Sequence, residues 1–309
     1  MSTSITSSSV IIGTGSDSSI ELAAEAGRSC IKKVGANKKD INLLINVGVM
    51  RDQNIVEPAI APLIQNKMKL NLNPTAKRLE LGKKTLSFDI INSSCGFLNA
   101  AQVIDSFFKN NYIDNPMIKG NPTNKAIIVA SEVHPSGTPT LDFPFRHSGV
   151  AVLLEPVNGE GNGFQSFIFN TSKNGYTGMN SYCNLEENGI NSRNVATVVI
   201  DENYTSRLEE FTLHTVQKFL NSENINLNEI SLVICSQPSA TFVKNFSERF
   251  KIGKDSIFNV YNKYGDTYTC GLIIGYNSAM EEGRVNKKDK VLFVGGGAGL
   301  TSACALYQV

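Results

Sequence analysis

The chain has 309 residues, 41% of them apolar, and its 29 Lys and Arg balance 28 Asp and Glu to a net charge of +1. That is enough apolar material for a large core of two joined lobes, and the even charge leaves no footprint for nucleic acid or an anionic membrane. No apolar run reaches membrane-spanning length, the polar start from Met1 to Ser9 lacks the marks of a secretion signal, and the six cysteines are scattered without ligand spacing. The expectations are a cytoplasmic location, no disulfides, no metal and no permanently bound cofactor.

In chain order, Val10-Ile11-Ile12 reads as a strand ending at Gly13, and helical spacing from about Ser19 to Val34 carries Leu22, Ala23, Ala26 and Ile31. The strand Thr85 to Ile91 runs into a polar bend, Asn92-Ser93-Ser94-Cys95-Gly96, after which Phe97, Ala101, Ile104 and Phe108 recur at helical spacing. The Asn/Gly-rich stretch 159–194 lacks sustained periodicity and is predicted to be a connection. Beyond it, Val198-Val199-Ile200 reads as the opening strand of a second half, followed by a helix with Leu208, Phe211, Val216 and Leu220. Continuous apolar strands separated by helices predict an α/β class with parallel sheets covered on both faces.

The two halves echo each other. Asp40 to Val47 matches Glu229 to Ser236, Ser87 to Ile90 matches Ile257 to Val260, and Lys125 to Val129 matches Lys290 to Val294. The offset shortens along the chain, which fits a duplicated half-domain with unequal loops and not a short-period solenoid. The predicted organisation is a first half over 1–158, a connecting segment over 159–194 and a second half over 195–309. A site at the seam would draw on both halves.

The bend at residues 92–96 is where chemistry is expected, since a helix N-terminus lowers a thiol pKa and favours an oxyanion. The same residues also suit ordinary capping and core filling. Phe88-Asp89, Gly96-Phe97-Leu98-Asn99-Ala100, Tyr264-Gly265-Asp266-Thr267 and Gly295-Gly296-Gly297-Ala298-Gly299-Leu300-Thr301 resemble the ketoacyl-ACP synthase III branch of the thiolase superfamily over nearly the whole chain. The resemblance implies the thiolase fold, with two βαβαβαββ halves in a five-layer αβαβα arrangement. It also implies a homodimer or a heterodimer with a paralogue, and acyl substrates carried as thioesters on coenzyme A or on the phosphopantetheine of acyl carrier protein.

The family's catalytic positions are changed. Its nucleophilic cysteine falls on Ser94, with Cys95 one place late; its histidine falls on Ser236; its asparagine falls on Asp266. An ionised Asp266 would repel the enolate of a decarboxylating malonyl thioester, so standard condensation is not expected. Ser94 would need a positioned base, for which Asp266 is the matched residue. Cys95 has the higher intrinsic reactivity but is turned from its neighbour's direction. His134, at a strand end, is a further acid/base candidate, as is His147 where the family has a Gly-Asp-Gly turn; His214 lies on a helix as a surface or packing residue.

Arg51 could meet a carrier phosphate, or pair with Asp52. The glycines at 295–299 lack the Gly-Lys-Ser/Thr ending of a phosphate loop, and in the family they let backbone approach the bend. Two functions follow from the resemblance and its departures. One is an acyltransferase in fatty-acid or polyketide-type metabolism, including secondary metabolism, acting through Ser94 or Cys95. The other is an inactive partner subunit of a heterodimeric ketoacyl synthase.

Overall fold

The computed structural model describes residues 2–72, 84–109, 125–157, 161–176, 178–183 and 189–309, side chains at positions 174 and 176 apart. The first sheet is built from β1 (Ser2–Ile12), β2 (Ile41–Asn46), β3 (Leu86–Asp89), β4 (Lys125–Glu132) and β5 (Ser148–Val157), in the order β1-β5-β4-β2-β3. The second uses β6 (Gly163–Tyr176), β9 (Leu232–Cys235), β10 (Lys290–Gly297) and β11 (Gly299–Gln308) in the order β6-β11-β10-β9, with Ile257 bridging Val233 at its end. The two orders are the same once paired, including parallel β2–β4 and β9–β10 and antiparallel β4–β5 and β10–β11. The duplication legible in the strands is therefore a duplication of topology.

Burial on both faces explains why these strands read as unbroken apolar runs. In β2, Leu43 and Ile45 face an inner core while Leu44 faces an outer one; in β9, Leu232 and Ile234 face inward and Val233 and Cys235 outward. The outer layer on the first sheet is α1 (Ser19–Lys33) and α2 (Ile60–Met68), and that on the second is α4 (Tyr204–Ser222) and α5 (Phe242–Phe250). Between the sheets lie α3 (Gly96–Lys109) and α7 (Gly271–Glu281), preceded by the single turn α6 (Tyr261–Tyr264). These are the five layers αβαβα.

Two sequence readings are corrected here. The strand that opens the second sheet is β6, inside the stretch taken for a connection, whereas Val198 to Ile200 belongs to β8 (Thr197–Ile200), paired with β7 (Met179–Tyr182) in a separate two-stranded ribbon. A bulge hides β6. The register against β11 shifts between Leu306 and Tyr307, so Phe164 and Phe167 face the same core although three positions apart, and the period of two is lost. The first strand also begins far earlier than Val10, because its hydroxyls find buried partners: Thr3 Oγ1 donates to Asp105 at 2.9 Å and Ser7 Oγ to Cys30 O at 2.9 Å.

Candidate functional site

Each half ends a strand-to-helix passage in the same bend. Ser93 to Cys95 form one 3-10 turn leading into α3, and Tyr268 to Cys270 form another leading into α7. Ser93 has φ 48° and Tyr268 φ 45°, left-handed values that the surrounding structure must hold in place. The clamp on the first bend is the glycine run of β10. A Cβ on Gly297 would stand 2.4 Å from Ser93 Oγ, and one on Gly295 would stand 3.1 Å from Ser94 O, whereas Gly296 faces Thr212 Oγ1 at 2.4 Å. Backbone approach is thus what this run supplies.

That geometry separates Ser94 from Cys95. Ser94 lines a cavity of about 40 Å³ at the seam, together with Ser236 and Asp266. Cys95 is 1% exposed and belongs to the inner core, where Thr301 Oγ1 lies 3.8 Å from its sulfur. Burial pushes its thiol up to about 12, which disfavours the thiolate that a nucleophile needs.

Ser94, Ser236 and Asp266 are together but not joined. Ser236 Oγ accepts the Gly296 N–H at 2.9 Å, and Asp266 Oδ1 accepts the Tyr268 N–H at 2.8 Å. No hydrogen bond of the Ser94 hydroxyl is found among the described residues. Burial raises the Asp266 carboxyl to about 6. Much of the remaining wall is Phe145, Met179, Tyr204, Leu208 and Tyr268, which pack as one cluster.

His134 is not among the residues that line this cavity. Its Nδ1 is 2.7 Å from Ser136 Oγ, and its ring meets Phe143 edge-on at 5.4 Å. Phe143 contacts Phe145, and Phe145 stacks on Tyr268 at 4.3 Å, so an aromatic ladder stands between this imidazole and Ser94. Burial, and then the neighbouring His147, lower its pKa. His147 is itself buried and bonded to Asp17, while His214 is exposed on α4.

Arg51 is also reassigned. Its guanidinium lies 3.3 Å from Asp89, whose carboxylate accepts the Ile60 and Ala61 N–H groups at 2.9 and 2.8 Å and so caps α2. Asp52 instead accepts from Ser18 Oγ and Ser19 N at the start of α1. Arg51 thus pairs with the carboxylate that caps α2 and not with its chain neighbour Asp52.

Glu132 and Thr269 escaped the sequence reading. Glu132 is fully buried at the end of β4 and accepts from Val49 N at 3.2 Å, Met50 N at 3.0 Å and the Thr269 hydroxyl. Burial raises its carboxyl to about 7, with Asp266 adding to the rise. A signal was present: Thr269-Cys270-Gly271 repeats Ser94-Cys95-Gly96.

A family model described as 3-oxoacyl-[acyl-carrier-protein (ACP)] synthase III C terminal matches residues 220–309. The beta-ketoacyl-[acyl-carrier-protein] synthase III of Listeria monocytogenes is 24% identical over 284 residues, covering 91% of this chain and 80% of that protein. The same enzyme from Aliarcobacter butzleri is 24% identical over 303 residues, covering 94% and 84%. Among solved structures, 3-oxoacyl-(acyl carrier protein) synthase III, FabH, from Pseudomonas aeruginosa PAO1 superposes with a TM-score of 0.79 at 12% identity, covering 100% of this chain and 98% of that one. OleA from Xanthomonas campestris gives 0.75 at 15% identity, covering 99% and 98%. The duplicated five-layer fold is thus shared with these solved structures, and in sequence the chain is similar to beta-ketoacyl-[acyl-carrier-protein] synthase III.

Proposed function

We propose that this chain serves acyl-thioester metabolism as a partner subunit that carries out no decarboxylative condensation of its own, pairing with a catalytically complete relative that takes acyl-CoA or acyl-ACP. The observation that carries this is the cavity. Ser94, Ser236 and Asp266 share about 40 Å³, room for a few waters and far below the roughly 300–1,000 Å³ of small-molecule pockets. Among the described residues no base is bonded to Ser94, and the aromatic ladder keeps His134 away. A hydroxyl is not ionised by a helix dipole, so without a base it does not attack a thioester. In support of the pairing, β3 is the outer strand of its sheet, and Leu86 at its start and Ile91 just beyond its end are 53% and 50% exposed.

One observation favours a second reading, acyl transfer through Ser94. Its hydroxyl is uncommitted at the N-terminal end of α3, and the Asp266 carboxyl on the same cavity is tuned towards neutral pH, which suits a general base. The two readings separate on incubation with a panel of acyl-CoA and acyl-carrier thioesters followed by intact mass spectrometry. The subunit reading expects no adduct and stable co-purification with an intact paralogue. A covalent acyl adduct that disappears in Ser94→Ala would establish the acyltransferase instead.

A further inference from the structure

The wall of the seam cavity holds an acid and no base. Asp266 lines it, no Lys, Arg or His does, and Glu132 behind it feels the charge of Asp266 as a repulsion. Neither carboxyl is in an ion pair with a Lys or Arg among the described residues. Asp266 Oδ1 accepts the Tyr268 N–H at 2.8 Å, while its Oδ2 has no hydrogen bond among those residues. A positive charge brought into the cavity would relieve this arrangement, whereas a negative one would worsen it.

Ser94 is a second and separate feature. It is 5% exposed and lines the same cavity, and its hydroxyl bonds to nothing among the described residues. Buried polar groups are normally paired, so this one calls for a partner from outside the chain. Ser236 Oγ accepts the Gly296 N–H at 2.9 Å and keeps a second lone pair. One carboxylate and two hydroxyls thus border a single space of about 40 Å³. A primary ammonium carries three N–H donors on one nitrogen, which matches three acceptors. Phe145 and Tyr268, stacked at 4.3 Å and 12°, supply aromatic wall on which a cation is stabilised. A hard metal cation takes six or more oxygens, more than these residues offer, and a quaternary ammonium has no N–H to donate.

We propose that the seam cavity is a binding site for the primary ammonium group of an unbranched amine. Its nitrogen donates to Asp266, Ser94 and Ser236, and its carbon tail leaves past Ile200, which lines the cavity and is 45% exposed. Binding does not require Ser94 to react, so the site goes beyond both readings of the function and holds for either.

Methylammonium is the probe. At pH 8 the Asp266 carboxyl, raised by burial to about 6, is ionised, and an alkyl ammonium is still protonated. Titrated into the full chain, methylammonium chloride should shift the Met179 methyl and the Ser94 and Tyr268 amides along one saturable curve in NMR spectra, in the millimolar range open to so small a ligand. Potassium chloride at matched ionic strength, and methanol as the neutral analogue, should leave them unmoved. Asp266→Asn should weaken binding about tenfold or more, and Ser94→Ala about threefold or more. If Asp266→Asn does not fold, Ser94→Ala decides alone. No saturable shift, an equal shift with potassium or methanol, or undiminished affinity in either folded variant overturns the proposal and leaves the cavity to water. No thioester enters this experiment, so its failure is distinct from failure of the acyl-thioester readings.

Discussion

The bends at Ser93–Gly96 and Tyr268–Gly271 occupy corresponding places, share positive φ at their first residue and bury a cysteine at their third, yet opposite things press on them. The strand ending against the first is β10, which finishes in a bare glycine, Gly297; the strand ending against the second is β4, which finishes in a carboxyl, Glu132. Each half thus supplies the wall of the other's bend. The consequence is that the first bend is held by backbone contact and by the Ala298 N–H donated to Ser93 Oγ at 3.1 Å, with no hydrogen bond of the Ser94 hydroxyl among the described residues, whereas at the second the corresponding hydroxyl, Thr269, donates to Glu132. A duplicated frame has become two bends that differ in whether the middle hydroxyl is tied down.

The contrast can be broken most severely at the contact itself. Gly297→Val places branched carbon where a Cβ already stands 2.4 Å from Ser93 Oγ, and overpacking of this kind is expected to cost about 3 kcal/mol in urea unfolding. A loss under about 1 kcal/mol would show that the bend yields and is not clamped.

The locked bend should betray itself through pH. The Glu132 carboxyl stands at about 7 in the fold against 4.5 when free, so folding takes up a proton between those values. Its stability contribution is complete below pH 4.5 and is lost as the pH rises through 7, by at most about 3 kcal/mol. Asp266 acts with the same sign between 3.8 and about 6. The difference in unfolding free energy between wild type and Glu132→Gln should therefore shrink from pH 5 to pH 8. A constant difference would place the proton elsewhere.

The matched pair of hydroxyls gives the finest test. Thr269→Ala removes a donor from a buried carboxyl and should cost about 1.5–3 kcal/mol. Ser94→Ala removes a hydroxyl that holds nothing and should change stability by less than about 0.5 kcal/mol. Equal losses in the two variants would mean that Ser94 is structurally bonded, which would remove the basis for any reactive role.

Much of this was legible before the fold was seen, and the parts that were not share a cause. The paired strands Ile41–Asn46 with Leu232–Cys235 and Lys125–Glu132 with Lys290–Gly297 are each buried throughout or in all but one residue, so the chain displays them directly. β6 was hidden because its bulge against Tyr307 breaks the alternation that announces a strand. Arg51 could not be paired with Asp89 from the sequence, since Asp52 is its neighbour in the chain while Asp89 reaches it only through the capping of α2. His134 stood in a plausible loop, but the aromatic ladder that isolates it joins residues from separate segments.

The sequence by itself determined the α/β class, the duplicated order of strands and the residue types at the three family positions, because periodic burial and motif identity are local properties. Only the tertiary structure decided that Ser94 faces the seam while Cys95 faces the core, and that Phe145, Met179 and Tyr268 leave the cavity about 40 Å³. Side-chain direction at a bend with φ near 48° depends on what packs against it, and here that is a glycine strand from the far end of the chain.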